Sequence, residues 1–184
     1  MTNNSNIKKR WISLYVENQI GVLAKIAGLF SGKSYNLDSL TVGETEDLSI
    51  SRMTIGVTSD DITFEQIKKQ LNRSIEVIKV VDITDIPINM KEILFVKINF
   101  CTEKDKEEIF RIAQVFDLKI VDYNKNTILI ESLQTELKNN DIIKLLNNIF
   151  INRLEVVRGG SVAIESISIT DRWENPFNPW GDEY

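Results

Sequence analysis

From Trp11 to Glu17 apolar and polar residues alternate. Ile12, Leu14 and Val16 fall on one side; Trp11, Ser13, Tyr15 and Glu17 fall on the other. A period of two is that of a β-strand with one buried face. The period changes after the polar turn Glu17-Asn18-Gln19. From Gly21, the residues Val22, Leu23, Ile26, Ala27, Leu29 and Phe30 make one apolar stripe at helical spacing. Residues 37–43 and 49–57 read as two strands joined through 44–48. A helix over 62–71, with Ile67 and Leu71 inward, and a strand over 75–82 complete the order β-α-β-β-α-β.

The segment 84–91 contains Pro87, breaks the pattern and reads as a linker. The same order then begins again. Leu94, Val96, Ile98 and Phe100 alternate in a strand. Ile109, Ile112, Ala113 and Phe116 share one face of a helix over 104–116. Strands over 118–123 and 127–133 form a hairpin around Asn124-Lys125-Asn126, where asparagines suit the turn. A helix over 137–149 follows, and 153–158 starts a final strand. The expectation is an α+β chain of two ferredoxin-like βαββαβ units with antiparallel sheets, one at 9–83 and one at 92–168. The repeat is one of topology, not of residue identity. Beyond it, the tail at 169–184 has no periodicity. It reads either as a disordered terminus or as a peptide docking on a partner through Trp173, Phe177 and Trp180.

Composition narrows the function more by exclusion than by pointing. The net charge of -5 argues against nucleic acid or an anionic membrane surface as partner. No apolar run approaches the ~20 residues of a membrane span. The opening MTNNSNIKKRW lacks the apolar core of a signal peptide. The one cysteine, Cys101, ends an apolar run and reads as a small buried hydrophobe rather than a reactive thiol. A cytoplasmic protein fits these features. The chain has no histidine, hence neither the commonest general base nor the commonest zinc ligand. No catalytic constellation stands out, and neither unit carries the phosphate loop that an acylphosphatase-like enzyme of similar fold would need.

Binding chemistry is better represented. A polar turn with Gly21 at the start of a helix offers the amides of Gly21, Val22 and Leu23, and the positive helix end, to a carboxylate. Gly21 lets a ligand approach the backbone closely. Asn18 both donates and accepts, so it can read an ammonium or a carboxylate, and Asn36 can do the same from a neighbouring subunit. A purely structural reading stands beside this one. Asn18 is then a cap or turn residue, Gly21 a turn glycine, and Asn36 a turn residue tolerant of left-handed geometry. The strand at 37–43 is an edge in this topology. It has neither Pro nor Lys, and its Leu37, Leu40 and Val42 are apolar. Such an edge invites pairing. The expected partner is the same strand of a second copy, giving a two-fold homodimer with a continuous sheet; the alternative is cover by the second unit of the same chain.

The stretch VENQIGVLAKIAGLFSGKSYNLDSLTVGETEDLSISRMTIGV closely resembles the N-terminal ACT domain of the acetolactate synthase (acetohydroxyacid synthase) small regulatory subunits. The family pattern is approximately EN-x-x-G-x-L-[AS]-R-x-x-G-L-F-[SA]-x-R-G-[YF]-N-[IL]-[ED]-S-L-T-V, followed by LSRMT. In the second half KEILFVKI, IFRIAQVFDLKIVDYNKNTILIE and VVRGGSVAI resemble the family's C-terminal ACT-like domain. The likeness covers about residues 9–166.

The resemblance implies a regulatory subunit that is not itself an enzyme. Such subunits bind a branched-chain amino acid, usually valine, at the dimer interface of their ACT domains. They activate a separate catalytic subunit and confer feedback inhibition on it. Thiamine diphosphate, FAD and magnesium belong to that catalytic subunit, which joins two pyruvates, or pyruvate and 2-oxobutyrate, in branched-chain amino-acid synthesis. The family's effector positions fall on Asn18, Gly21, Val22 and Leu23, and across the interface on Asn36 and Leu37. The implied roles are amides at 21–23 for the carboxylate, Asn18 or Asn36 for the ammonium, and Val22 and Leu37 lining an apolar slot. Three residues depart from the pattern: Lys25 where Arg is usual, Ile20 where Pro or a small residue is common, and Ser34 where Gly is usual. The alternative within the same resemblance is a stand-alone amino-acid-binding ACT sensor acting on another partner.

Overall fold

The computed structural model describes residues 7–31 and 35–167. The tail at 169–184 and Ser34 lie outside the described residues. In β1 (Lys8–Glu17) Ile12, Leu14 and Val16 are buried as their alternation requires. α1 (Val22–Ser31) lays Val22, Ile26 and Phe30, four residues apart, on the same core. β2 (Leu37–Glu44) and β3 (Ile50–Ser59) follow as a hairpin, then α2 (Asp61–Leu71), capped by the Asp60 carboxylate on the Thr63 amide, and β4 (Val77–Asp82). The sheet order is β2-β3-β1-β4, all pairs antiparallel, with Leu14 opposite Met53 and Leu40 opposite Ile55.

The second unit repeats the plan: β5 (Ile88–Ile98), α3 (Glu103–Phe116), β6 (Lys119–Tyr123), β7 (Ile128–Gln134), α4 (Glu136–Ile149) and β8 (Leu154–Glu165), in the order β6-β7-β5-β8. Its core gathers Leu94, Val96, Ile98, Ile109, Ile112, Ile128, Ile130, Ile142, Leu146 and Phe150. Thr102 and Asp105 form a reciprocal capping box at the start of α3. Cys101 is buried, its thiol donating to the Ile98 carbonyl at 3.3 Å, and burial pushes its pKa up. The two ferredoxin-like βαββαβ units and their antiparallel sheets are those expected. No helix among the described residues is long and apolar enough to cross a membrane.

The differences share one cause. The segment read as a linker, 84–91, is half strand, because β5 starts at Ile88; β8, whose start alone was legible at 153–158, runs on to Glu165. The two extensions pair with each other, Ile88 opposite Glu165 and Glu92 opposite Ser161. Together they form a ribbon lying across the outer face of the first sheet. Ser13, Tyr15 and Thr54 on that face are consequently buried as well, so β1 is covered on both sides. A strict alternation of inner and outer residues cannot announce cover supplied from about a hundred residues away. Two smaller differences are local. Phe100 leaves its strand with φ 58 and is exposed, and Phe116, in the last turn of α3, stays outside the core.

Candidate functional site

The turn after β1 is built from its own backbone, from the β2–β3 hairpin and from the residue before β4. The Glu17 amide donates to the Glu76 carbonyl at 2.9 Å, the Asn18 amide to the Ser49 carbonyl at 2.7 Å, and the Gln19 amide to the Glu17 carbonyl at 3.0 Å. The Asn18 side chain makes the same link. Its Nδ2 donates to Glu44 Oε1 at 3.2 Å and to the Leu48 carbonyl at 2.9 Å. Two acceptors on one nitrogen fix the orientation of the amide. Asn18 is therefore a structural pin, and its Oδ1 accepts from no donor among the described residues. The structural reading of this residue holds for its side-chain nitrogen. Glu44, which the sequence did not single out, brings a carboxylate to the same spot.

Gly21 sits at φ 88, where L side chains are strained, and a Cβ added to it would meet nothing within 4 Å. Open space in front of a left-handed glycine leaves the start of α1 approachable. The other three helices begin on a side-chain cap (Asp60, Thr102 or Thr135) and carry an acid in the first turn; α1 has no acid there. The Val22 amide reaches back to the Gln19 carbonyl at 3.3 Å. Among the described residues the Leu23 amide has no acceptor, as the geometry of a helix start leads one to expect.

Leu23 is exposed, and Ile20 at the tip of the turn is fully so. Val22 is a correction. Its side chain is 4% exposed and packs beside Ile26 in the core, so it cannot line a slot. Leu37 is half-buried against the same core. Lys25, at the position of the family's usual Arg, keeps a cation's partner through an ion pair with Glu76.

Asn36 is not near this turn. Leu37 lies opposite Val57, which lies opposite Arg10 near the start of β1; Glu44 lies opposite Ser51, which lies opposite Val16 near its end. β2 is eight residues long, so Asn36 and Asn18 stand at opposite ends of the sheet, roughly 25 Å apart at ~3.3 Å per residue. Among the described residues the Asn36 side chain bonds locally, donating to Asp38 Oδ1 at 3.4 Å. Among the described residues no strand pairs with the outer edge of β2, and the ribbon crosses its face instead. A shallow cleft lined by Leu29, Phe30, Tyr35, Ile67, Gln70 and Leu71 opens at the far end of α1, away from the turn.

The sequence also left unread how the units are joined. Arg52 of β3 donates to Ser13 Oγ at 2.8 Å and to the Ala163 carbonyl at 3.2 Å, stacked over Tyr15 at 5.2 Å. Thr41 Oγ1 donates to the Ser161 carbonyl at 2.9 Å, and the Ser161 amide donates to Ser39 Oγ at 3.3 Å. Lys9 pairs with Glu136 at the start of α4. Just beyond, Glu92 is buried and accepts from Nε and Nη2 of Arg158 (2.9 and 2.7 Å) and from the Asn139 amide (3.0 Å). Burial alone would raise this carboxyl, but those donors hold it below the usual glutamate value.

Known proteins resemble the chain over both units. A family described as the AHAS small subunit-like ACT domain matches residues 12–79, and one described as the small subunit of acetolactate synthase matches 91–167. The acetolactate synthase small subunit of Aquifex aeolicus is 42% identical over 158 residues, 86% of this chain and 81% of that protein. A probable acetolactate synthase small subunit of Archaeoglobus fulgidus is 40% identical, over 85% of this chain and 96% of its own. The crystal structure of the Thermotoga maritima small subunit superposes with a TM-score of 0.79 at 34% identity, covering 89% of this chain and 100% of that one.

Proposed function

The chain belongs to the acetolactate synthase small-subunit family, and from that premise we propose that it is the regulatory partner of a separate catalytic subunit, sensing a branched-chain amino acid, with valine the first candidate. Thiamine diphosphate, FAD and magnesium reside in the catalytic subunit, which this chain activates and places under feedback.

The observation that carries the effector reading is the turn at 18–23. It offers both polarities that a zwitterion needs. The amides at the uncapped, positive end of α1 face a carboxylate. Asn18 Oδ1 and the Glu44 carboxylate, at the other side of the turn, face an ammonium. Exposed Leu23 and Ile20 supply apolar surface beside them. Asn36 enters through symmetry. When two copies pair β2 against β2 antiparallel with Leu40 opposite Leu40, Asn36 of one copy stands opposite Glu44 of the other. The ends that a single chain holds roughly 25 Å apart are thereby brought together, and each dimer has two such corners. One methylene in an apolar site is worth ~1–3 kcal/mol, so leucine and isoleucine compete with valine rather than being rejected outright.

Calorimetric titration with valine tests this directly. Saturable binding is expected, and Gly21→Asp should abolish it, because a carboxylate would occupy the anion corner on a backbone already at φ 88. Normal valine inhibition of the reconstituted enzyme by Gly21→Asp would sink the site assignment.

A further inference from the structure

β8 belongs to both units. Residues 154–158 are the edge of the second sheet, and residues 161–165 lie on the outer face of the first. Gly159 and Gly160 make the change of course, where the register against β5 slips between Glu92 and Leu94. Neither position accepts a side chain. A Cβ on Gly159 would come within 2.5 Å of Ile93 Cγ2; one on Gly160, which sits at φ 79, would come within 2.7 Å of Thr41 Cγ2. The backbone of β8 therefore rests directly on β2, held there by Thr41 and Ser39 bonding Ser161 from either side.

β2 is also the strand whose free edge completes the effector corner in the reading above. We propose that the Thr41–Ser161–Ser39 contact at this kink relays effector occupancy from β2 into the second unit; the proposal rests on that reading of the site. The path is short and made of packed groups. Ser161 lies opposite Glu92 in β5. Glu92 is clamped by Arg158, immediately before the kink, and by Asn139 of α4, which also takes the Ser132 hydroxyl. A displacement of β2 on pairing and ligand binding thus meets, through the Ser161 backbone, a hydrogen-bonded polar cluster at the base of α4, not a yielding loop. Networks of this kind carry coupling when both ends bias the same element, and here that element is β8.

The test uses the full chain reconstituted with its catalytic subunit, and valine as the probe. Thr41→Val keeps the shape and removes the donor; Thr41→Ser keeps the donor. Thr41→Val should bind valine within about two-fold of wild type as the isolated dimer, yet need at least about five-fold more valine for half-inhibition of the complex. Thr41→Ser should be inhibited as wild type is. Equal inhibition of Thr41→Val and wild type would overturn the relay, and so would loss of binding and inhibition in the same proportion. A wild-type chain that neither binds valine nor responds to it would overturn the effector reading itself, and that result is seen before any variant is made.

Discussion

Asp105 and Asn18 show what one side chain can hold in this protein. Hydrogen bonds from Arg153 and from the amide and hydroxyl of Thr102 keep the Asp105 carboxyl at about 2. Its ordinary value of 3.8 describes the unfolded chain. The folded state therefore gains stability above pH ~4 and loses it as the pH falls from ~4 towards ~2. Denaturant titrations across that range should show the loss in wild type, and Asp105→Asn, weaker at neutral pH, should show a flatter profile. Asn18 teaches a different lesson. Its place in the polar turn was legible, because a polar turn followed by Gly and an apolar stripe at helical spacing is a local signal. Which of its atoms would be engaged was not legible, since Glu44 and Leu48, its partners, lie across a hairpin. Val22 was misjudged for a related reason. The first residue of a helix can face ligand or core, and here the Val22-Ile26-Phe30 spacing sends it inward.

At the scale of elements, β2 is an edge strand with no guard, and its central residue sets the prediction. Leu40 meets its own copy in the proposed pairing. Leu40→Lys places two ammonium groups across the axis and should weaken the homodimer at least about ten-fold, some 1.4 kcal/mol, as measured by sedimentation. Ile62→Lys, on the exposed face of α2, should leave the dimer unchanged; equal dimerisation by both variants would argue for a different interface. The strands and helices themselves were readable from periodicity because each unit buries one face of its sheet under its own helices. The ends of β5 and β8 were not. Their extra residues pair with each other across more than seventy positions of sequence, and Pro87 beside Ile88 made the start of β5 look like a break.

For the whole molecule, the ribbon turns two units that could be separate into one body, with Arg52 as its staple. Arg52→Leu leaves Ser13 Oγ and the Ala163 carbonyl without their donor on a covered face, a loss of about 1–3 kcal/mol. Calorimetry should show one unfolding transition in wild type and a broadened or split one in Arg52→Leu, whereas equal transitions would mean the units are joined elsewhere. The sequence showed none of this: its alternation put Ser13 and Tyr15 on the face away from Ile12, Leu14 and Val16, with no sign of what covers that face. The separation of Asn18 from Asn36 along the sheet has a genetic consequence. If every corner draws one wall from each of two copies, ownership of the site is divided. A copy spoiled at Asn18 and a copy spoiled at Asn36, each useless alone, would in a mixed pair assemble one corner from their two intact walls. Two alleles blind to the amino acid would then restore sight to each other.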